Sequence, residues 1–303
     1  MTVNKEKLWT EALKWPLYSV AIMPIILSAA FNLYLFKTIN IGNFFAFGFA
    51  SILILFWENL TNDLFDAETG IDEFKFESVV NIFENKKILN LIAYSSLLIG
   101  LIVISIISFS TNINILFLII GCCTLGYIYQ GPPFRLGYFG LGEPLCWIAF
   151  GPLAHSAALL ALDPNTNNLS NIPFYESLLL GSGPALATTL ILFCSHFHQI
   201  TQDRKHGKKS PLVLIGTKKG AFLIPLIILV IYLIELIIIF FGFIPYFCLI
   251  FLISFPYAFK LIKLLKHFHN KPSAIKNCKF IAVKFQTLNG IGLILGLIIS
   301  FLN

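Results

Sequence analysis

Residues 41–72 read IGNFFAFGFASILILFWENLTNDLFDAETGID, an apolar run that ends in a cluster of acidic side chains. The part from 41 to 57 carries no charge and is long enough for a helix that crosses a lipid bilayer. The acidic stretch Asn62–Asp72 follows where that run ends. Together they predict a membrane-embedded helix that carries polar chemistry to the membrane surface.

The composition extends this interpretation to the whole chain. Apolar residues make up 57% of the 303 residues and charged residues 12%, with 31 Phe and a mean hydropathy of +0.83. Soluble globular proteins differ strongly from this, and helices pair every backbone amide in lipid. We therefore expect an all-α, polytopic membrane protein with about nine transmembrane helices in one bundle, forming a single domain over residues 1–303. The predicted spans are 15–36, 41–57, 88–109, 113–129, 141–162, 178–197, 222–242, 244–262 and 280–302.

The basic residues predict the orientation of this bundle. Of the 21 Lys and Arg residues, all except Lys37 and Lys284 fall in segments that nine spans place on the side of the N-terminus. Such a bias marks the cytoplasmic side. We expect a cytoplasmic N-terminus. The net charge of +6 then reflects topology and the lipid bilayer as partner, and no motif indicates nucleic acid.

The acidic residues concentrate between the second and third spans. Eight of the 15 lie there: Glu58, Asp63, Asp66, Glu68, Asp72, Glu73, Glu77 and Glu84. If the second helix continues through the motif, four polar side chains share one face at offsets 0, 3, 4 and 7: Asn59, Asn62, Asp63 and Asp66. Close carboxylates repel unless a cation joins them, and Mg2+ suits one or two carboxylates completed by water and phosphate oxygens. A solvated acidic loop is the alternative.

A second polar segment, HFHQITQDRKHGKKSP at 196–211, ends the sixth span. His196, Gln199 and Asp203 share a helix face at offsets 0, 3 and 7, so Asp203 could reach a shared metal. Lys208 is one of the cations that could neutralise phosphate oxygens, although the topology bias also explains these cations. His196 and Gln199 are candidates for polar substrate contacts, and an interfacial histidine is the alternative for His196.

A third segment, GYIYQGPPFRLGYFGLGEP at 126–144, is rich in Gly, Pro and aromatic residues. Arg135 could clamp a diphosphate with two hydrogen bonds, while Tyr127 and Tyr129 could face a developing carbocation. A turn between helices and an interfacial tyrosine belt are the simpler alternatives. Elsewhere, Glu235 lies well inside the seventh span, a costly position that makes it a functional candidate without an evident partner.

With these residues in view, the chain resembles the UbiA-type intramembrane prenyltransferases over essentially its whole length. The resemblance is carried by the nine predicted helices, the N-D-x-x-D motif at Asn62–Asp66 and the second motif that ends at Asp203. Within that family, residues 66–72, 126–152 and 196–216 are similar to the 1,4-dihydroxy-2-naphthoate branch. The family usually carries D-x-x-x-D in the second motif, where this chain has Gln199 first and Asp203 second, so the number of metal ions stays open.

The resemblance implies an enzyme and a reaction. It implies Mg2+-dependent transfer of a prenyl group, phytyl in the most similar members, from its diphosphate to 1,4-dihydroxy-2-naphthoate with loss of carbon dioxide, in phylloquinone or menaquinone biosynthesis. It implies a site on the cytoplasmic side, with catalytic Asp63, Asp66, Asp203 and Arg135, and with Asn62 joining the three aspartates as metal ligands. The alternatives are another aromatic acceptor (homogentisate, 4-hydroxybenzoate or chlorophyllide) and a non-enzymatic anion transporter.

Overall fold

The computed structural model describes residues 15–70, 78–83 and 85–303, and every regular element within these ranges is a helix. The expected all-α class is confirmed. The α-helices are α1 Ser19–Phe36, α2 Ile41–Thr69, α3 Val79–Ile82, α4 Lys86–Ser110, α5 Asn114–Gln130, α6 Gly142–Ile148, α7 Ala154–Leu162, α8 Phe174–Lys205, α9 Pro211–Ile215, α10 Thr217–Phe240, α11 Phe255–Phe268, α12 Pro272–Ile275 and α13 Cys278–Leu302. Tighter or wider helical turns complete them at Trp15–Tyr18, Leu136–Phe139, Ala149–Leu153 and Tyr246–Ser254.

Eight helical stretches in the described ranges are long and apolar enough to cross a membrane. Four of them join several elements. The turn Trp15–Tyr18 runs into α1, α6 runs through a π-helical turn into α7, the turn Tyr246–Ser254 runs into α11, and α12 is continued by α13. The remaining predicted span, 113–129, corresponds to the shorter, 17-residue α5. The hydropathy pattern therefore located all nine apolar segments, while only eight meet the length of a full crossing.

Part of the first acidic segment lies outside the described residues. This applies to the end of the motif at Asp72 and to the other acids Glu73, Glu77 and Glu84. It also applies to four of the basic residues used for the orientation: Lys5, Lys7, Lys14 and Lys75.

The helices α2 and α8 are the ones that carry the two polar motifs. They contain 29 and 32 residues, or about 44 and 48 Å at the usual rise per residue, against about 30 Å of hydrocarbon. Helix α2 continues without a break through Asn62 and Asp66, which is the condition for the predicted shared face, and ends at Gly70 in the left-handed conformation (φ 76°). Both motifs therefore lie on helix ends that extend beyond a bilayer core.

Small residues set the closest packing in the bundle. A Cβ on Gly292 would lie 2.3 Å from the Cα of Phe251, and one on Gly296 would lie 2.4 Å from the Cα of Cys248. Helix α13 therefore contacts the turn Tyr246–Ser254 backbone to backbone, the mode that small residues permit between membrane helices.

Glu235 has a partner that the sequence did not reveal. Its buried Oε2 accepts a hydrogen bond of 2.9 Å from Nδ2 of Asn289 on α13. The two side chains are 54 positions apart, so only the tertiary fold brings them together. This interhelical bond accounts for a polar group at a costly position.

Two large apolar clusters form the core. One joins α1, α2, α4, α5 and α7 and includes Phe47 and Trp57, and the other joins α8, α10, α11 and α13 and includes Phe197 and Phe285. Residues of both clusters line one cavity between them.

Candidate functional site

The cavity between the two clusters has a volume of about 300 Å³ and is bordered by α1, α2, α5, α6 and α8. Its charged and amide side chains come from α2, from residues at or near the ends of α5 and α8, and from the start of α13. They are Glu58, Asn59, Asn62, Asp63, Asp66, Gln130, Gln199, Lys208 and Lys279. The rest of the lining is largely apolar and includes Ile25, Phe47, Leu55, Ile119, Phe150 and Ile191. A ligand with a polar head and an apolar body matches this distribution.

The predicted polar face of α2 is the acidic wall of this cavity. All four of its residues, Asn59, Asn62, Asp63 and Asp66, belong to the lining. Asp63 is only 2% exposed, and its Oδ2 accepts a hydrogen bond of 3.2 Å from the backbone N–H of Val79 at the start of α3. Helical periodicity alone was sufficient to predict this arrangement.

Asp66 connects α2 to the end of α5. Its Oδ1 accepts a hydrogen bond from Nε2 of Gln130. The preceding residue, Tyr129, lines the cavity and lies within electrostatic range of the carboxylates of Asp66 and Asp203. Two glycines make room for its ring, because a Cβ on Gly137 or Gly142 would lie 2.5 or 2.6 Å from Cε2 of Tyr129. Tyr129 is therefore held between the two acidic motifs.

Tyr138 joins all three polar segments, which sequence reasoning missed. Its hydroxyl lies 2.6 Å from Oγ1 of Thr69 at the end of α2, and its carbonyl accepts a 2.8 Å hydrogen bond from the N–H of Lys209. The ammonium of Lys208 lies 5.4 Å from the centre of its ring. Burial raises the pKa of Tyr138 to about 12, so it is a neutral phenol. The sequence offered no signal for it beyond one aromatic among several.

Asp203 and His196 meet, but away from the cavity lining. Nδ1 of His196 lies 3.4 Å from Oδ2 of Asp203, and Nε2 lies 3.3 Å from Oε1 of Glu143. The three side chains are 4%, 2% and 16% exposed. His196 thus bridges two carboxylates and does not line the cavity. Glu143 had no assigned role, although an acid at the start of an apolar span is a recognisable signal.

Arg135 and Tyr127 also lie outside the lining. Nη2 of Arg135 is 3.1 Å from Oε2 of Glu68, with the two side chains 28% and 56% exposed. Arg135 has a left-handed backbone (φ 45°) in the turn that follows α5. The hydroxyl of Tyr127 donates to the carbonyl of Pro132 at 2.9 Å. The diphosphate clamp and the cation contact stay predictions for these two residues.

Lys208 and Gln199 complete the polar end from the side of α8. Lys208 is 4% exposed and lines the cavity, an unusual burial for a lysine without a role. Lys279, at the start of α13, adds a second cation to the lining. Sequence reasoning counted Lys279 only as part of the topology bias, because nothing in its spacing pointed to the cavity.

The side chains of the acidic wall suit a divalent cation that takes part of its ligands from the substrate. Asn62, Asp63 and Asp66 offer two carboxylates and an amide oxygen to one cavity wall. Within the described residues, no three His, Cys, Asp or Glu side chains are arranged to hold a metal by themselves. Mg2+ is commonly held by one or two carboxylates with water and phosphate oxygens, so the residues fit Mg2+ only together with a phosphate ligand.

A family model supplies the decisive comparison. The model of the UbiA prenyltransferase family matches residues 21–283. The chain belongs to this family. It is therefore an enzyme that transfers prenyl groups, and the transporter alternative is not supported.

Curated relatives of this UbiA prenyltransferase cover nearly its full length. It is 40% identical over 285 residues to a 2-carboxy-1,4-naphthoquinone phytyltransferase of Synechocystis sp., covering 94% of this chain and 91% of the relative. It is 36% identical over 306 residues to the chloroplastic protein of the same name from Arabidopsis thaliana, covering 98% and 78%.

The fold is also that of a solved structure. The structure of a UbiA homolog from Archaeoglobus fulgidus bound to GPP and Mg2+ superposes with a TM-score of 0.51 at 13% identity, covering 93% of this chain and 99% of the other. At this identity the likeness concerns the fold, and it supports a membrane-embedded helical bundle.

Proposed function

We propose that this UbiA prenyltransferase carries out Mg2+-dependent transfer of a phytyl group from phytyl diphosphate to 1,4-dihydroxy-2-naphthoate, with loss of carbon dioxide. The observation that carries the proposal is a cavity that has acidic and basic side chains at one end and an apolar lining along the rest. The names of the two curated relatives support the phytyl group and the naphthalene-type acceptor.

The donor fits the two ends of the cavity. A prenyl diphosphate has an anionic head, which suits the end with Lys208 and Lys279, and an apolar chain, which suits the wall that includes Ile25 and Phe47. Because the head and the chain each suit a different part of the cavity, the donor is oriented before the reaction. This matters because positioning alone lowers a barrier by several kcal/mol.

Asn62, Asp63 and Asp66 are the residues that would hold Mg2+, with Asp203 as a further candidate through its position beside Tyr129. When bound, Mg2+ stabilises the negative charge of the leaving diphosphate. Lys208, which lines the same cavity, offsets that charge through its ammonium group. The largely apolar wall keeps water from the reactive prenyl carbon, which would otherwise be lost as an alcohol.

The bonds that break and form in the reaction determine which oxidation state of the acceptor can react. The bond between the prenyl carbon and the diphosphate oxygen breaks, and its electron pair leaves with diphosphate. A ring carbon of the acceptor forms the new bond, and its carboxylate leaves as carbon dioxide while its electron pair returns to the ring. The ring must be electron-rich to attack, so the dihydroxy form is the acceptor and its quinone is not.

The test uses the full chain purified in detergent. Incubation with Mg2+, 1,4-dihydroxy-2-naphthoate and phytyl diphosphate is expected to give a prenylated, decarboxylated naphthalene product by mass spectrometry. The quinone form of the acceptor, supplied without reductant, is expected to give none. Product from homogentisate, 4-hydroxybenzoate or chlorophyllide in place of the naphthoate would overturn the acceptor assignment. Absence of product with every donor and acceptor would overturn the proposed reaction.

The orientation in the membrane is part of the proposal. The basic residues of the described inner segments, such as Lys208 and Lys218, support a site that opens on the cytoplasmic side of a plasma or thylakoid membrane. Labelling of a cysteine introduced at Lys218, by a membrane-impermeant reagent on sealed vesicles of known orientation, tests this side.

A further inference from the structure

Glu58 is a carboxyl group in the wall of the cavity that the reaction described above does not use. It lies on α2 one turn before Asn62, which places it about 6 Å further from the polar helix end. It belongs to the cavity lining together with apolar neighbours such as Leu55 and Leu125. The group is therefore at the level where the polar head of the cavity gives way to its apolar body.

The packing around Glu58 leaves room for its carboxyl group. Gly126 on α5 faces it, since a Cβ at Gly126 would lie 3.3 Å from Cδ of Glu58. A larger residue there would press on the carboxyl group. Within the described residues, the Glu58 side chain forms neither a hydrogen bond nor an ion pair. A polar group at an apolar wall without a partner costs free energy, so a ligand partner would offset that cost.

The chemistry of the three ligand parts selects the partner. The prenyl chain offers no hydrogen-bond donor, and both the diphosphate and an aryl carboxylate are repelled by another carboxylate. A phenolic hydroxyl donates a hydrogen bond, and an oxygen of Glu58 accepts it. The hydroxyls of a dihydroxyaryl acceptor are therefore the one part of the substrates that matches Glu58.

We propose that Glu58 recognises the aromatic acceptor by accepting a hydrogen bond from one of its ring hydroxyls. This inference rests on the proposed function and deepens it, because it assigns the acceptor to the cavity wall between Gly126 and the acidic face of α2. When the donating hydroxyl is the one that is not adjacent to the carboxylate, the hydrogen bond orients the ring so that the carboxylate points away from Glu58, toward the end with Lys208 and Lys279. By accepting this hydrogen bond, Glu58 also raises the electron density on the hydroxyl oxygen and, through it, on the ring carbon that attacks. No proton is transferred overall.

The test compares Glu58→Leu and Glu58→Gln in full-length, purified protein. The leucine removes the acceptor atom, whereas the glutamine keeps an amide oxygen that accepts a hydrogen bond. Glu58→Leu is expected to raise both the Kd and the KM of the acceptor by about tenfold or more, because a site built for a hydroxyl loses its hydrogen bond. Glu58→Gln is expected to stay within about threefold of the parent. The KM of phytyl diphosphate should not change in either variant.

Two controls separate recognition from folding. Glu235→Gln changes another carboxyl group in a membrane helix, one that pairs with Asn289 outside the cavity, and should leave the acceptor KM unchanged. Glu58→Leu should also melt at the same temperature as the parent or higher, since it removes an unpartnered polar group from an apolar wall. An acceptor analogue with the recognised hydroxyl methylated should bind the parent weakly and should bind Glu58→Leu no more weakly than the natural acceptor does.

The possible outcomes test the role of Glu58 and the proposed reaction separately. Equilibrium binding of 1,4-dihydroxy-2-naphthoate, measured without donor, tests Glu58 even if no turnover is seen. An unchanged acceptor Kd in Glu58→Leu, or an equal rise of the donor KM, would overturn the assignment while leaving the prenyl transfer intact. Lack of product in the parent protein would instead overturn the reaction, independently of the binding result.

Discussion

Nδ1 of His196 lies 3.4 Å from Oδ2 of Asp203, so the acid of the second motif faces a buried imidazole and not the cavity. The other ring nitrogen faces Glu143 at 3.3 Å. The acids of the first motif, in contrast, line the cavity directly. The two motifs are therefore unequal, which agrees with the replacement of an acid by Gln199 at the start of the second one. We therefore expect the residues of α2 to contribute most of the ligands if Mg2+ binds.

This inequality predicts a graded response to isosteric amides. Asp63→Asn and Asp66→Asn are expected to lower kcat by about a hundredfold or more, because each removes a charged candidate ligand from the cavity. Asp203→Asn is expected to lower kcat by only about tenfold, because Asp203 lies beside the cavity and not in its lining. Initial rates at saturating Mg2+ measure this, and Asp163→Asn, in the loop after α7, is the control. Equal losses for all three aspartates would contradict the ranking.

The contacts of His196 predict that three residues act as one unit. Glu143→Gln, His196→Gln and Asp203→Asn each break the same buried arrangement, so their effects should not multiply. The double variant Glu143→Gln with His196→Gln is expected to resemble the more damaged single variant, within about twofold in kcat/KM. Rates that multiply in the double variant would show that Glu143 and His196 act separately.

Lys208 predicts a selective effect on the donor. Its ammonium is buried and lines the polar end of the cavity. Lys208→Met is expected to raise the KM of phytyl diphosphate by about tenfold, because one charge-assisted contact to the diphosphate is lost. The acceptor KM should change little. The exposed Lys218→Met serves as the matched control, and a larger change in the acceptor KM would assign Lys208 to the acceptor carboxylate instead.

For Tyr138, we expect the ring and the hydroxyl to contribute differently to activity. Tyr138→Phe keeps the ring beneath Lys208 but loses the contact with Thr69, and a loss of about threefold or less in kcat/KM is expected. Tyr138→Ala loses both contacts, so Lys208 loses its platform and the donor KM should rise.

The pH profile supplies the second readout for Tyr138. Because its pKa is raised to about 12, the phenol stays protonated up to roughly pH 10. The profiles of Tyr138→Phe and the parent should therefore have the same shape over that range. A basic limb in the parent below that pH, absent from Tyr138→Phe, would show that Tyr138 ionises during the assay.

The sequence predicted those features that depend on one helix at a time. Hydropathy located the apolar segments, and the offsets of Asn59, Asn62, Asp63 and Asp66 predicted the shared face, since periodicity follows from helix geometry alone. Features that depend on packing between helices were not predictable. The hydrogen bond from Gln130 to Asp66 and that from Asn289 to Glu235 each join distant segments, and no local pattern specifies such pairs.

Arg135 shows that the contact of a single charged residue is also not predictable from sequence. Its single positive charge in a polar loop suggested a diphosphate clamp, yet its guanidinium pairs with Glu68 near the surface. A partly exposed pair of this kind contributes only about 0 to 1 kcal/mol, so it does not prevent Arg135 from turning to a substrate. The donor KM of Arg135→Gln, compared with that of Glu68→Gln, would reveal whether the arginine is used.

In the proposed reaction, one cavity brings a prenyl diphosphate to a carboxylated naphthalene ring, which loses its carboxyl group when the new bond forms. The most direct measurement follows 1,4-dihydroxy-2-naphthoate labelled in its carboxyl carbon, incubated with phytyl diphosphate, Mg2+ and the purified chain. We expect labelled carbon dioxide and unlabelled phytylated product in equal amounts, and we expect Asp63→Asn to form neither above about a hundredth of the parent rate. Phytylated product that retains the label, or labelled carbon dioxide without phytylated product, would contradict it.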